Sequence, residues 1–170
     1  ISDATSYFAV LTNHLHVPTD RIVLMGKSLG TAPTVHLASL DCAQEVHGVL
    51  LISPLASGIR AVMPSTLASR RILSPLDTLF CPSITKIQKV HAPVFIIHGY
   101  EDKVIDIVNA RILAKNLTLE SKYTPLFVHA GHNNIEETHP ITLREYIGVF
   151  FQHCEMRYQS QSPLIDYDSD

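Results

Sequence analysis

Tryptophan is absent from this 170-residue chain, and cysteine occurs only three times. Cys42, Cys81 and Cys154 are odd in number and far apart, which excludes a disulfide framework and any C-x-x-C redox or zinc pair. That usage fits a reducing compartment. Basic charge is also short: 13 Lys and Arg stand against 16 Asp and Glu, for a net charge of −3. Such a balance leaves no electropositive footprint for nucleic acid. No apolar run reaches the roughly 20 residues needed to cross a bilayer, so no transmembrane segment is expected. The chain opens on Ile1, with neither a signal peptide nor a lipidation motif read at that end. Histidine is plentiful, with ten copies. His14 and His16 form an H-x-H pair, but no third ligand lies close in sequence, so neither a metal site nor a cofactor is expected.

Apolar residues make up 46% of the chain, and its length suits one domain with a real core. Residues 3–16 read as a helix whose apolar face carries Tyr7, Val10, Leu11 and His14. Four short apolar runs read as strands: residues 22–25, 46–53, 92–98 and 123–129. The second is apolar on both sides, as in a parallel strand covered by helices on each face. Helices are expected between and after them, over residues 31–40, 106–117 and 140–153, the last offering Ile141, Tyr146, Val149 and Phe150 to the core. Strands alternating with helices predict an α/β fold with a mostly parallel sheet. Residues 54–90 hold four prolines and many apolar side chains, which fits either a lid or binding loop, or a loop with short helices packed on the core. The folded domain is expected over residues 1–154, with 155–170 a polar, acidic, disordered tail.

One stretch carries chemistry. Gly26-Lys27-Ser28-Leu29-Gly30 fits G-x-S-x-G, directly after an apolar run and before a helical segment. Strand, tight turn with serine, helix is the context of a nucleophile elbow. Glycine on both sides of Ser28 is expected to remove Cβ atoms that would clash in the turn. The backbone N–H of Leu29 would then lie at a helix start, placed to stabilise an oxyanion. A glycine-bounded turn with a serine N-cap has the same letters, so the downstream acid and base decide.

Ligands of open parallel sheets gather at the carboxyl ends of strands. Those ends carry Ser28, then Glu101 and Asp102, then His129 and His132. Serine, acid, histidine is the α/β-hydrolase order. A serine hydroxyl is a poor nucleophile until a base takes its proton, and a carboxylate must hold that base in one tautomer. Asp102 lies just past the third strand and is favoured as the acid. Asp106 reads as a helix N-cap, and Glu101 points elsewhere. His132 follows Gly131 in a loop and is free to reach over the sheet. His129 and His98, at strand ends, are expected to pack structurally.

These motifs resemble the α/β-hydrolase superfamily and, more narrowly, the α/β-hydrolase domain-containing 17 group of depalmitoylases. The likeness covers residues 20–151. Its most specific parts are Ser53-Pro54-Leu55-Ala56-Ser57-Gly58-Ile59-Arg60 and Glu101-Asp102-Lys103-Val104-Ile105-Asp106. The resemblance implies Ser28 as nucleophile, Asp102 as acid and His132 as base. It also implies palmitoyl-protein thioesterase activity on S-acylated membrane proteins, at the cytoplasmic face of membranes. The chain departs from the group at Ile52, Tyr100 and Asn134, where the group has histidine, threonine and aspartate. The runner-up expectations are a carboxylesterase or lipase on small or lipid esters, and an impaired, truncated hydrolase acting as a binding module. The group's earlier strands, its H-G-N oxyanion loop and its cysteine-rich anchor have no counterpart in the sequence. The expectation is therefore the C-terminal portion of the fold, from the elbow strand onward, aggregation-prone and slow as an isolated segment.

Overall fold

Strands that are apolar on successive residues demand cover on both faces, and the computed structural model supplies it. The structure describes residues 2–63, 76–78 and 80–161. Strands β1 (Val23–Lys27), β2 (Gly48–Ile52), β3 (Val94–Gly99) and β4 (Leu126–Val128) form one sheet. Their order is β1-β2-β3-β4, every neighbour parallel. The register sets Lys27 beside Ile52, Ile52 beside Ile97, and Gly99 beside Val128. All four strands expected from the sequence are present.

Among the described residues the helices are α1 (Ser2–Ala9), α2 (Thr31–Ala38), α3 (Gly58–Val62), α4 (Ser83–Lys86), α5 (Val108–Asn116), α6 (Ile135–Thr138) and α7 (Pro140–Gln161). Strand alternation sorts the core into two layers. Val49, Leu51, Val94 and Ile96 face α2 and α5, meeting Val35, Ala38, Ala110 and Leu113. Leu50, Ile52, Phe95 and Ile97 face α6 and α7, meeting Ile135, Leu143, Phe150 and Cys154. There the Phe95, Tyr123 and Phe150 rings lie 5.1–5.3 Å apart, the spacing of favourable aromatic pairs. Burial pushes the Cys154 thiol up to about 12, so it stays protonated. On β1 only one face is closed: Leu24 is buried, while Met25 is 60% exposed.

Several expectations are corrected. The first helix is α-helical only to Ala9 and continues as a π-helical turn, Val10–His14. It buries Phe8 and leaves Tyr7, Val10 and Leu11 exposed. The last helix does not stop near residue 153 but runs to Gln161, into the stretch expected to be a tail. Its core face is Leu143, Ile147, Phe150 and Cys154; Ile141, Tyr146 and Val149 are exposed. Both helices carry two apolar stripes, and the partner surface selects one. Cys42 is exposed. The lid-or-loop question turns on residues 64–75 and 79, which, with residues 162–170, lie outside the described residues.

What is described of that connection is pinned by a buried ion pair. Arg60 Nε and Nη2 donate to Asp77 Oδ1 and Oδ2 at 2.7 and 2.8 Å, both side chains at 3% exposure or less. The Ser57 hydroxyl donates to Asp77 Oδ1 at 2.8 Å and accepts the Arg60 N–H at 3.2 Å, capping α3. Removing one member of such a pair strands the other charge in the interior. Asp77→Ala is therefore expected to lower stability by about 3–5 kcal/mol, and Arg60→Met with Asp77→Leu by much less. Urea unfolding of the two variants checks this ordering.

Candidate active site

A parallel strand that hands over to a helix must turn within one or two residues, and here the turn falls on Ser28. Lys27 is still extended, at φ −123° and ψ 138°, and Ser28 then takes φ +53°. That left-handed conformation costs a non-glycine residue roughly 1–3 kcal/mol. Side-chain bonds hold it: the Thr31 hydroxyl donates to Ser28 O at 2.6 Å, and the Thr34 hydroxyl to Gly30 O at 2.9 Å. Residues Ser28–Gly30 form a single 3₁₀ turn that runs into α2. Only one of the two motif glycines is demanded by space. A Cβ on Gly26 would lie 2.7 Å from Gly30 O, whereas one on Gly30 meets no described atom within 4 Å. The expectation that both glycines relieve a clash is corrected to Gly26 alone.

Asp102 follows β3 in a tight turn that its own carboxylate organises. Oδ1 accepts the Val104 and Ile105 N–H groups at 2.9 and 2.8 Å. Oδ2 lies 2.7 Å from His132 Nδ1 and 3.3 Å from His98 Nε2. Burial alone would raise this carboxyl's pKa. The His98 and His132 contacts and the two backbone N–H groups outweigh it and hold the carboxyl well below the usual range.

His132 reaches the site because the backbone before it lies on the end of β3. A Cβ on Gly99 would collide with Ala130 O, and the Tyr100 and Glu101 N–H groups donate to Val128 O and Ala130 O at 2.8 and 3.0 Å. The Asn134 side chain accepts the Gly131 N–H at 2.8 Å, closing the loop. His132 Nε2 then stands 2.8 Å from Ser28 Oγ. An ionised carboxylate only accepts, so Nδ1 carries the proton and Nε2 faces the serine hydroxyl with its lone pair. From β1, Lys27 Nζ meets Glu136 Oε1 at 2.7 Å, tying the elbow strand to the helix after the His132 loop.

Three of the side chains singled out in the sequence, Ser28, Asp102 and His132, thus meet at the carboxyl ends of β1, β3 and β4. Leu29 is the residue after Ser28, and its N–H is the first amide of the turn. The others lie apart. Glu101 is exposed, 3.8 Å from His129. Asp106 Oδ1 accepts the Val108 N–H at 2.8 Å, which caps α5. His129 is exposed beside Tyr100, not packed within the fold. His98, expected to be purely structural, touches Asp102. A lone histidine in an apolar strand gives no local signal of that contact. A cavity of about 870 Å³, lined by Asp20, Arg21, His47, Glu120 and Arg157 among others, opens at the opposite ends of the strands and holds none of these groups. Among the described residues no three His, Cys, Asp or Glu side chains gather as a metal site.

A family model described as serine hydrolase matches residues 2–143. The chain is 42% identical over 137 residues to human alpha/beta hydrolase domain-containing protein 17C, covering 79% of this chain and 38% of that protein. It is 35% identical over 140 residues to alpha/beta hydrolase domain-containing protein aho-3 of Caenorhabditis elegans, with the same two coverages. It thus spans about two fifths of the length of these relatives. An esterase from Pyrococcus furiosus shares the fold at a TM-score of 0.65 and 18% identity, over 89% of this chain and 60% of that one.

The depressed carboxyl makes a pH prediction. A group whose folded pKa lies below its unfolded value, about 3.9 for aspartate, adds stability above that value. The contribution is lost as the pH falls towards the folded value. Between about pH 5 and pH 3 the unmodified chain should lose more stability than Asp102→Asn. Urea midpoints at the two pH values test this, and equal losses would contradict it.

Proposed function

This chain belongs to the serine hydrolase family, and we propose that its site removes long acyl chains from cysteine thioesters of membrane-attached proteins. One observation carries the reading: the unbroken line of hydrogen bonds from Asp102 through His132 to Ser28, at 2.7 and 2.8 Å. Along it Ser28 Oγ attacks the thioester carbonyl carbon while His132 Nε2 takes the hydroxyl proton. Asp102 stabilises the imidazolium and keeps its orientation. The tetrahedral oxyanion accepts the Leu29 N–H. Collapse breaks the carbon–sulfur bond, and His132 returns the proton to the departing cysteine sulfur. Water, activated by the same histidine, then releases the fatty acid and restores Ser28.

The acyl preference rests on the surroundings of Ser28 and on the resemblance to the depalmitoylase group. Ala32, Leu55 and Ile105 form a buried apolar cluster beside the elbow, with Ala61 and Cys81 against it. Leu29, Val62, Phe80 and Val104 are exposed in the segments that follow β1, β2 and β3. The same chemistry serves esters as well as thioesters, the thiol, with a pKa of about 8.5, being a better leaving group than an alcohol. We place this work at the cytoplasmic face of membranes. No helix among the described residues is long and apolar enough to cross one.

A fluorophosphonate probe should label the full-length protein at Ser28. Ser28→Ala should abolish labelling, and His132→Ala should lower turnover by about 10⁴-fold or more. Labelling that survives Ser28→Ala in a folded protein would remove the serine-hydrolase reading. For the substrate, a thioester series should speed up from two carbons towards sixteen. Fastest turnover at two to four carbons would instead favour a short-chain carboxylesterase.

A further inference from the structure

We infer that His98 is a positioning residue for the proposed reaction: from behind Asp102 it fixes the carboxylate oxygen that His132 uses. The inference rests on the Ser28–His132–Asp102 reading above. His98 sits near the end of β3, fully buried, on a strand otherwise made of Val94, Phe95, Ile96, Ile97 and Gly99. Its Nε2 lies 2.8 Å from Ile105 O and 3.3 Å from Asp102 Oδ2. A carbonyl oxygen can only accept, so Nε2 carries the ring proton and shares it between Ile105 O and Asp102 Oδ2. The other ring nitrogen, Nδ1, is buried and has no hydrogen-bond partner among the described residues.

That combination separates a role in packing from a role in the site. An apolar side chain on β3 would fill the same interior without stranding a ring nitrogen, an arrangement that is costly in a protein core. What histidine supplies, and leucine or methionine does not, is the Nε2–H. That proton closes a small circuit. Ile105 donates its N–H to Asp102 Oδ1 at 2.8 Å and offers its carbonyl to His98. The two backbone polar groups of Ile105 thereby tie the turn together: its N–H holds the Asp102 carboxylate, and its carbonyl holds His98 on β3. Oδ1 is fixed by two backbone N–H groups and Oδ2 by the buried ring, so the carboxylate cannot rotate to exchange its oxygens. His132 therefore meets Oδ2 in one orientation, and Nε2 is aimed at Ser28.

The test compares two unbranched replacements of similar length in the full-length protein, His98→Gln, which keeps an N–H at the reach of Nε2, and His98→Met, which does not. His98→Met should lower kcat by about 10- to 100-fold with KM changed less than about twofold, as a loosened reacting group does, and His98→Gln should recover most of the loss. The decisive measurement repeats both in an Asp102→Asn background. A residue that acts through Asp102 loses its effect there, so His98→Met should change kcat by less than about twofold. If His98→Met does not fold, His98→Asn, too short to reach Asp102, takes its place in the same cycle. Equal losses for Met and Gln, or an undiminished loss on the Asp102→Asn background, would overturn the inference. Activity that survives Ser28→Ala would instead overturn the hydrolase reading beneath it, so the two failures are distinct.

Discussion

A carboxylate taken out of water costs many kcal/mol unless donors surround it, and the carboxyl end of this sheet is built around one. Asp102 has four donors: two backbone N–H groups of its own turn and two imidazoles. Each comes from a place that the sheet must hold still. His98 stands on β3 itself. Val104 and Ile105 belong to the turn between β3 and α5, and His132 is carried by the loop after β4. The charge is tolerable only while all of these are in register, so the electrostatics of one side chain depend on strand pairing across half the sheet.

The rest of the sheet serves that placement. Helices on both sides of β2 and β3 let those strands be apolar throughout, and their close packing makes the strand ends a stiff rim. On that rim the chain accepts two expensive local conformations. Ser28 takes φ +53° at the end of β1, and Ser53 takes φ +48° just past β2. Each is locked by what surrounds it: the Thr31 hydroxyl on Ser28 O, and the Ser53 N–H on Ile97 O at 2.8 Å. Strain held at strand ends, on a core that does not give, is how a fold holds a serine in a turn it would otherwise leave.

Strand number, strand order in the chain and the alternation with helices are legible in the sequence because apolar runs of strand length lie between helical periodicities. Ser28, Asp102 and His132 are legible because each follows such a run, and the elbow has a local pattern. Asp106 is legible as a cap because it opens the α5 periodicity. What is not legible is decided at a distance. Arg60 and Asp77 lie 17 residues apart, across an irregular stretch with no period. The contact of His98 with Asp102 is local in sequence, but nothing in the pattern separates a histidine that fills space from one that holds a carboxylate. Helices α1 and α7 each have two apolar stripes, so Phe8 and the Leu143–Phe150 stripe are chosen by the surfaces they meet. The two glycines of the elbow look equivalent in sequence, and only the approach of α2 to β1 shows that Gly26 alone is crowded.

The strands lie side by side in the order in which the chain produces them, and this has a consequence for assembly. Each strand can dock on the one before it, so pairing proceeds without waiting for a distant segment to return between two others. Ser28 and His132, however, stand 104 residues apart, at the end of β1 and beyond β4. Loop closure over such a span is among the slower events of folding. The contact of His132 with Ser28 therefore forms only when β4 is seated. The hydrogen bond between Ser28 and His132 thus reports that β4 has paired with β3.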